Sequence, residues 1–182
     1  MDKEIKVALG SGWRNYGNKW MHVDLGDYNN LDEVADIRDL GFLEDNSVDV
    51  LYSSHSLEYF DQIEVVDVLR EWRRVLKKGG KLYISVPDFQ LLCMRYMGSH
   101  KIYGVKQIRD IIGPILGRME MDGKMIYHKN LFDRETLSNL LYNCGFKRIK
   151  EYYPEDLIGK VDDHSKARMD GDLISLNIVC EK

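Results

Sequence analysis

The chain has 182 residues, 44% of them hydrophobic and 31% charged, with a formal net charge of -4. This length suits one domain, residues 1–182, whose core needs no covalent staples. The acidic balance offers no basic field for nucleic acid, and no apolar run spans a bilayer, so neither nucleic-acid binding nor membrane insertion is expected. The opening Met-Asp-Lys-Glu-Ile-Lys is charged at once and unlike a secretion signal, which points to the cytoplasm. Cys93, Cys144 and Cys180 are odd in number and lie far apart among apolar neighbours, as small core residues of a reducing compartment do. No CxxC or HExxH spacing occurs, so no metal site is expected.

Short apolar runs alternate with helical patterns, which predicts an α/β sheet. Ile5–Leu9 reads as a first strand that stops at Gly10-Ser11-Gly12. Trp20–Leu25 reads as a second with Asp24 near its end, Val34–Ile37 as a short third and Val48–Ser53 as a fourth. Only about ten residues separate the first two strands, near the minimum for a parallel crossover, so the helix of that link is very short or missing. Asp61 and Glu64 form a capping box for a helix whose stripe is Val65, Leu69, Trp72 and Leu76. Lys77 and Lys78 suit its C-terminal end and Gly79 its left-handed closure.

A fifth strand, Lys81–Val86, is stopped by Pro87. Residues 88–130 then read as a cap over the sheet edge, with a helix over Val105–Ile112. A second capped helix runs from Asp133 through Leu137, Leu140, Leu141 and Cys144 to Gly145. Phe146–Tyr153 and Leu173–Cys180 read as closing strands, the latter with Ile174, Leu176, Ile178 and Cys180 on its apolar face.

A glycine turn directly after a strand lets backbone N–H groups approach a ligand at the sheet's carboxyl edge. An acidic residue at the end of the second strand, Asp24, is placed to accept from both hydroxyls of a ribose. The pair suits S-adenosylmethionine or a nicotinamide dinucleotide. The dinucleotide is disfavoured because Asn15 stands where a third glycine is needed, and because little helix follows to hold a pyrophosphate.

Lys6 to Gly12, Val23-Asp24-Leu25 and Ala35-Asp36-Ile37-Arg38-Asp39-Leu40 resemble the opening of the class I S-adenosylmethionine-dependent methyltransferases. Phe42 to Tyr59 is similar to their "PFPDNSFDVVYSSHVLEH" signature, and Arg74 to Leu82 to their "RVLKPGG" turn. The resemblance implies a Rossmann-like, mostly parallel sheet with helices on both faces and an antiparallel last strand, shortened near the first crossover. It places Gly10, Ser11 and Gly12 against the methionine part of the cofactor, and Asp24 with Leu25 at the ribose. Asp36, Ile37 and Arg38 fall near the adenine, and Ser53, Ser54 and His55 flank the sulfonium. S-adenosylhomocysteine would be the product. The sequence departs from the pattern in its abbreviated glycine loop, in Tyr59 for His and in Lys78 for Pro.

A hydroxyl acceptor needs a base within reach of its proton. His128, in Tyr127-His128-Lys129-Asn130-Leu131-Phe132, leads the candidates, with His55 and Asp88 as alternatives at strand ends; Asp88 also suits a helix cap. The context of His128 resembles small, type-11-like methyltransferases encoded with polysaccharide-biosynthesis genes, and so does the stretch from Val161 to Asn177. A sugar or glycan acceptor follows from that resemblance. Asp162-Asp163-His164 reads either as a contact for sugar hydroxyls or as a solvated loop, and Tyr96, Tyr103, Tyr127, Tyr152 and Tyr153 as stacking surfaces or partial core. His22, His100 and His164 have no supporting context. Two other readings are a cofactor-binding pseudoenzyme that supports a partner protein and a nicotinamide oxidoreductase.

Overall fold

The computed structural model describes residues 4–99, 105–121 and 123–182; His100 and Tyr103 therefore lie outside the described residues. The chain opens with β1 (Lys6–Leu9), β2 (Trp20–Asp24), β3 (Glu33–Val34) and β4 (Val48–Ser54), of which β1 and β4 are buried almost throughout. A 3-10 turn, Leu57–Tyr59, then leads to α1 (Glu64–Val75) and β5 (Leu76–Pro87). Next come α2 (Phe89–Ser99), α3 (Val105–Leu116), the hairpin β6 (Met119–Met121) and β7 (Lys124–Ile126), and α4 (Arg134–Asn143). The chain closes with β8 (Lys147–Glu151), α5 (Pro154–Ile158), a 3-10 turn His164–Lys166, the hairpin β9 (Arg168–Met169) and β10 (Asp172–Leu173), and β11 (Ser175–Glu181).

Seven strands share one sheet in the order β3-β2-β1-β4-β5-β11-β8. The first five are parallel, and β11 runs antiparallel to both β5 and β8. This is the Rossmann-like arrangement expected of the sequence. The order reverses between β1 and β4, so a crevice opens beyond their carboxyl ends, where Gly10 and Ser53–Ser54 lie.

One face of the sheet carries Val7, Leu9, Leu51, Leu82, Ile84 and Ile178, and packs on Leu69 and Trp72 of α1 and Leu137 and Leu141 of α4. Both helices are set by their caps. Asp61 accepts from the backbone N–H groups of Ile63 and Glu64 while Glu64 reaches back to the Asp61 N–H. Asp133 and Thr136 make the same reciprocal pair at α4.

Several boundaries differ from the sequence reading; the strand expected over Leu173–Cys180 begins only at Ser175, because Leu173 pairs with Arg168 in the β9–β10 hairpin. Helix α1 ends at Val75 rather than at Gly79, because Leu76 turns extended and pairs with Val48, while Lys77 meets Asp49 at 2.7 Å. Gly79 keeps its left-handed conformation (φ +76) inside β5. Strand β3 is only Glu33–Val34; past it, Asp36 turns back to accept from the Arg38 N–H and the Ile37 carbonyl accepts from Trp72 Nε1. Strand β8 stops at Glu151, short of the expected Tyr153, which instead caps α5 ahead of Pro154. Cys93, Cys144 and Cys180 are all free thiols, and Cys180 lies in the core.

The second face is covered differently. Among the described residues, the links from β1 to β4 contain no α-helix. Instead Leu157 and Ile158 of α5, together with Tyr16 and Val161, close over Ala8, Trp20, Val50 and Tyr52. Tyr16 stacks on His22 and stands edge-on to Tyr52. Asp163, expected in a solvated or sugar-binding loop, is only 5% exposed. Its carboxylate accepts from the hydroxyls of Tyr16 (2.6 Å), Tyr52 (2.8 Å) and Ser54 (2.6 Å) and from the Ser165 N–H (2.8 Å). Burial alone would raise its pKa; the donors from Ser54, Tyr16 and Ser165 outweigh it and hold the group at about 2.

Asp163→Ala should leave the hydroxyls of Tyr16 and Ser54 without their acceptor, with Tyr52 falling back on Ser165 Oγ at 3.0 Å, and cost about 3 kcal/mol. For a chain of this size the Tm falls by about 6–12 °C in a thermal melt. An unchanged Tm would show that the aromatic packing alone holds this face.

Candidate active site

The glycine turn is fixed before any ligand arrives. Gly10 and Gly12 take φ values of +65 and +55, in the region open to glycine. A side chain at Gly10 would meet Ser56 Oγ at 2.1 Å, so the turn lies directly against the segment after β4. The N–H groups of Gly10 and Ser11 donate to the Val23 carbonyl. Asp24 accepts from the Gly12 N–H through one oxygen and from the Gly26 N–H through the other, both at 2.8 Å. Each oxygen keeps a further lone pair, so Asp24 can hold the turn and still accept from a diol. Asn30 ties down the carbonyls of Gly12 and Arg14.

Leu25 follows Asp24 and is half exposed. Asp36 is gripped by the guanidinium of Arg38, whose hydrogen bonds pull its carboxyl below the usual range; Arg38 also reaches Glu64 at 3.5 Å. Ile37 lies within 3.9 Å of the space a Gly10 side chain would fill. Ser11 and Ser53 are both 1% exposed, and their hydroxyls have no protein partner. The hydroxyl of Ser54 goes to Asp163.

Beyond β4 the chain turns sharply at His55 (φ +53) and enters the 3-10 turn that carries Glu58. Glu58 is 1% exposed, and neither carboxyl oxygen has a hydrogen-bond partner. His55 Nδ1 lies 3.4 Å and His128 Nε2 3.7 Å from the same oxygen, Oε1. The outer nitrogens fix the tautomers. The Ser175 hydroxyl donates to the His164 carbonyl at 2.7 Å, so its oxygen accepts from His55 Nε2–H at 2.8 Å. His128 Nδ1 faces the Ile115 carbonyl at 3.1 Å and must carry its proton there. Both inward nitrogens are therefore bare lone pairs.

Burial raises the Glu58 pKa to about 8 and lowers that of His55, with help from His164, to about 3. Burial lowers His128 too. A narrow cleft beside Glu58 and His128 is lined also by Pro87, Leu92, Ile115 and Asn130. No group of three or more His, Cys, Asp or Glu among the described residues is disposed to hold a metal ion.

The other candidates are elsewhere. Asp88 caps α2 by accepting from the Leu91 N–H. His22 is buried and bridges Tyr16 and Asp32. Tyr127 and Tyr153 are exposed, whereas Tyr152 packs edge-on to Tyr83. Glu58, Asp163 and Ser56 escaped the sequence reading as individual site residues. Glu58 lies within the signature-like stretch, beyond the end of β4 in the Leu57–Tyr59 turn, but its meeting with His128 is a long-range contact that local spacing does not carry.

Residues 17–84 match the family model of a methyltransferase domain; the matched span begins after the glycine turn and runs from the link before β2 into β5. Solved structures share the fold over the full length. An S-adenosylmethionine-dependent methyltransferase from Archaeoglobus fulgidus aligns with a TM-score of 0.59 at 16% identity, over 98% of this chain and 86% of the other. One from Thermotoga maritima aligns at 0.57 and 18% identity, over 100% and 84%. One from Methanosarcina mazei aligns at 0.56 and 18% identity, over 100% and 94%. No curated protein matches in sequence.

An acid whose pKa is raised by folding stabilises below its unfolded value, near 4.5, and loses that contribution as pH rises towards its folded value, about 8. The Tm of the native protein should therefore drop more between about pH 5 and 8 than that of Glu58→Gln, the difference isolating this group from His55. Parallel pH curves for the two proteins would mean that Glu58 is already ionised.

Proposed function

We propose that this S-adenosylmethionine-dependent methyltransferase transfers its methyl group to an oxygen of a small molecule, with a sugar or glycan as the acceptor. The observation that carries the reading is the pair of bare imidazole nitrogens beside the end of β4. A hydroxyl is a weak nucleophile until its proton has somewhere to go, and a placed base contributes about 10²–10⁴ in rate. His128 is the assigned base. It is held by the Ile115 carbonyl and by the ring of Tyr59, which stands edge-on at 4.8 Å.

The residues fit the cofactor. The cradle at Gly10 admits no side chain, Asp24 keeps free lone pairs, and the hydroxyls of Ser11 and Ser53 are buried without partners. Gly10, Ser11 and Gly12 would take the methionine part and Asp24 with Leu25 the ribose. Asp36, Ile37 and Arg38 would lie at the adenine, and Ser53, Ser54 and His55 beside the sulfonium. When bound, the cofactor supplies an electrophilic methyl carbon. The chain's own part is to align the acceptor oxygen with it and receive the displaced proton. A polysaccharide-biosynthesis setting in the cytoplasm, without nucleic-acid partners, rests on the resemblance of the stretch around His128, since Asp163 is committed to the buried network. No helix among the described residues is long and apolar enough to cross a membrane.

Isothermal titration tests the cofactor half: the native protein binds both S-adenosylmethionine and S-adenosylhomocysteine, and Gly10→Ala weakens both at least about tenfold. His128→Ala should keep that binding and lose about a hundredfold or more in transfer of labelled methyl to nucleotide sugars or glycans. Absence of binding to the native protein would sink the cofactor assignment. Undiminished transfer in the variant would remove His128 as the base.

A further inference from the structure

We propose that His55, Glu58 and His128 hold a single proton in common, and that this three-residue unit, with Glu58 as its store, takes the acceptor's proton. The inference rests on the methyl-transfer reading for its chemistry, but its geometry stands without it. Two imidazoles from distant parts of the chain turn unprotonated nitrogens onto one carboxyl oxygen, at 3.4 and 3.7 Å. That oxygen is buried and accepts no N–H or O–H from elsewhere in the protein. A buried carboxylate left without a donor is expensive, whereas a carboxylic acid facing two lone pairs can donate to either. Backbone fixes the arrangement: the N–H groups of Lys129 and Asn130 both donate to the Glu58 carbonyl, which straps the His128 segment across the 3-10 turn.

The groups around the unit leave it one proton. From β4 comes neutral His55, and from the 3-10 turn Tyr59, whose hydroxyl burial pushes up to about 12. From the glycine loop comes the Arg14 charge, and from the closing segment Asp163 and His164, the latter's ring 5.4 Å from that of His55. Ser175 of β11 contributes a hydroxyl, and Phe89, Leu92 and Ile115 form an apolar wall. Burial first, then His164, His128 and Arg14, opposes a charge on His55 against the pull of Asp163, so the proton rests on Glu58 rather than on the imidazole.

The charges balance in the reaction. With the shared proton absent the unit carries one negative charge. As the acceptor's O–H bond breaks, its proton passes to His128 Nε2 and on to Glu58. The oxygen–methyl bond forms while the sulfur–methyl bond breaks, so the positive sulfonium and the negative unit are neutralised together. Water removes the proton after release of the product. Glu58 acts here through His128, as a positioning residue that also stores the proton.

Histidine ring ¹⁵N spectra of the ligand-free protein, followed from about pH 6 to 10, test this without any acceptor. The rings of His55 and His128 should shift together at one midpoint near 8, and Glu58→Gln should abolish that step in both. Separate midpoints, or a step that survives in Glu58→Gln, would overturn the proposal. Should Glu58→Gln not fold, infrared spectra of the native protein decide. A protonated-carboxyl stretch lost at the same midpoint supports the shared proton, and its absence at about pH 6 refutes it. A shared midpoint with no cofactor binding would uphold the unit while removing the methyl-transfer reading; binding with independent rings would do the reverse.

Discussion

The second face of the sheet depends on one buried carboxylate. A parallel sheet needs cover on both sides, and the links between its first four strands supply no α-helix here. The cover comes from the far end of the sequence and from Tyr16, and what joins them is Asp163. Three hydroxyls and a backbone N–H converge on it, so the charge is buried with its donors already in place. Arg14 approaches the same group at 3.6 Å, which draws the glycine loop into the network. The turn at Gly10, the end of β4 and the segment before β11 are thereby positioned against one another.

A second buried carboxyl meets the opposite treatment. Asp163 is surrounded by donors and stays ionised; Glu58 faces imidazole lone pairs and an apolar wall, and stays protonated near neutrality. Both side chains are buried, so exposure to solvent alone does not account for the contrast. Hydrogen-bond donors favour the charged form in one case, and their lack favours the neutral form in the other. A carboxyl with a proton affinity near the working pH is suited to proton transfer, whereas one held near 2 is suited only to holding structure.

Much of this was legible in the sequence because it is local. Strand periodicity, the caps at Asp61 and Asp133 and the stops at Gly10 and Pro87 each depend on a few neighbouring residues. They were enough to give the seven strands of the main sheet and the missing first crossover helix, but not the two small hairpins. Where α1 ends was not legible, because Leu76 leaves the helix to pair with Val48, a residue far back in the chain. The role of Asp163 was hidden for the same reason: its partners Tyr16, Tyr52 and Ser54 lie more than a hundred residues away. Within the site, Gly10, Asp24 and Ser53 through His55 come to one sheet edge because each ends a strand. Glu58 depends on a meeting of β4 with the His128 strap that no spacing announces.

The missing crossover helix also changes how the glycine turn can work. A helix following such a turn would offer its N-terminal N–H groups and dipole to an anionic ligand. Here the N–H groups of Gly10 and Ser11 are committed to the Val23 carbonyl, and that of Gly12 to Asp24. The turn consequently offers shape and closeness more than positive potential, which favours a ligand held by its hydroxyls and its fit over one held by a pyrophosphate. The ordering of the turn is complete before binding, since Asp24 and Asn30 pin it from both sides. A preorganised turn spares the ligand the entropy of ordering it. The short link can therefore serve without a helix, because the side chains of β2 and the β2–β3 link hold the turn in place.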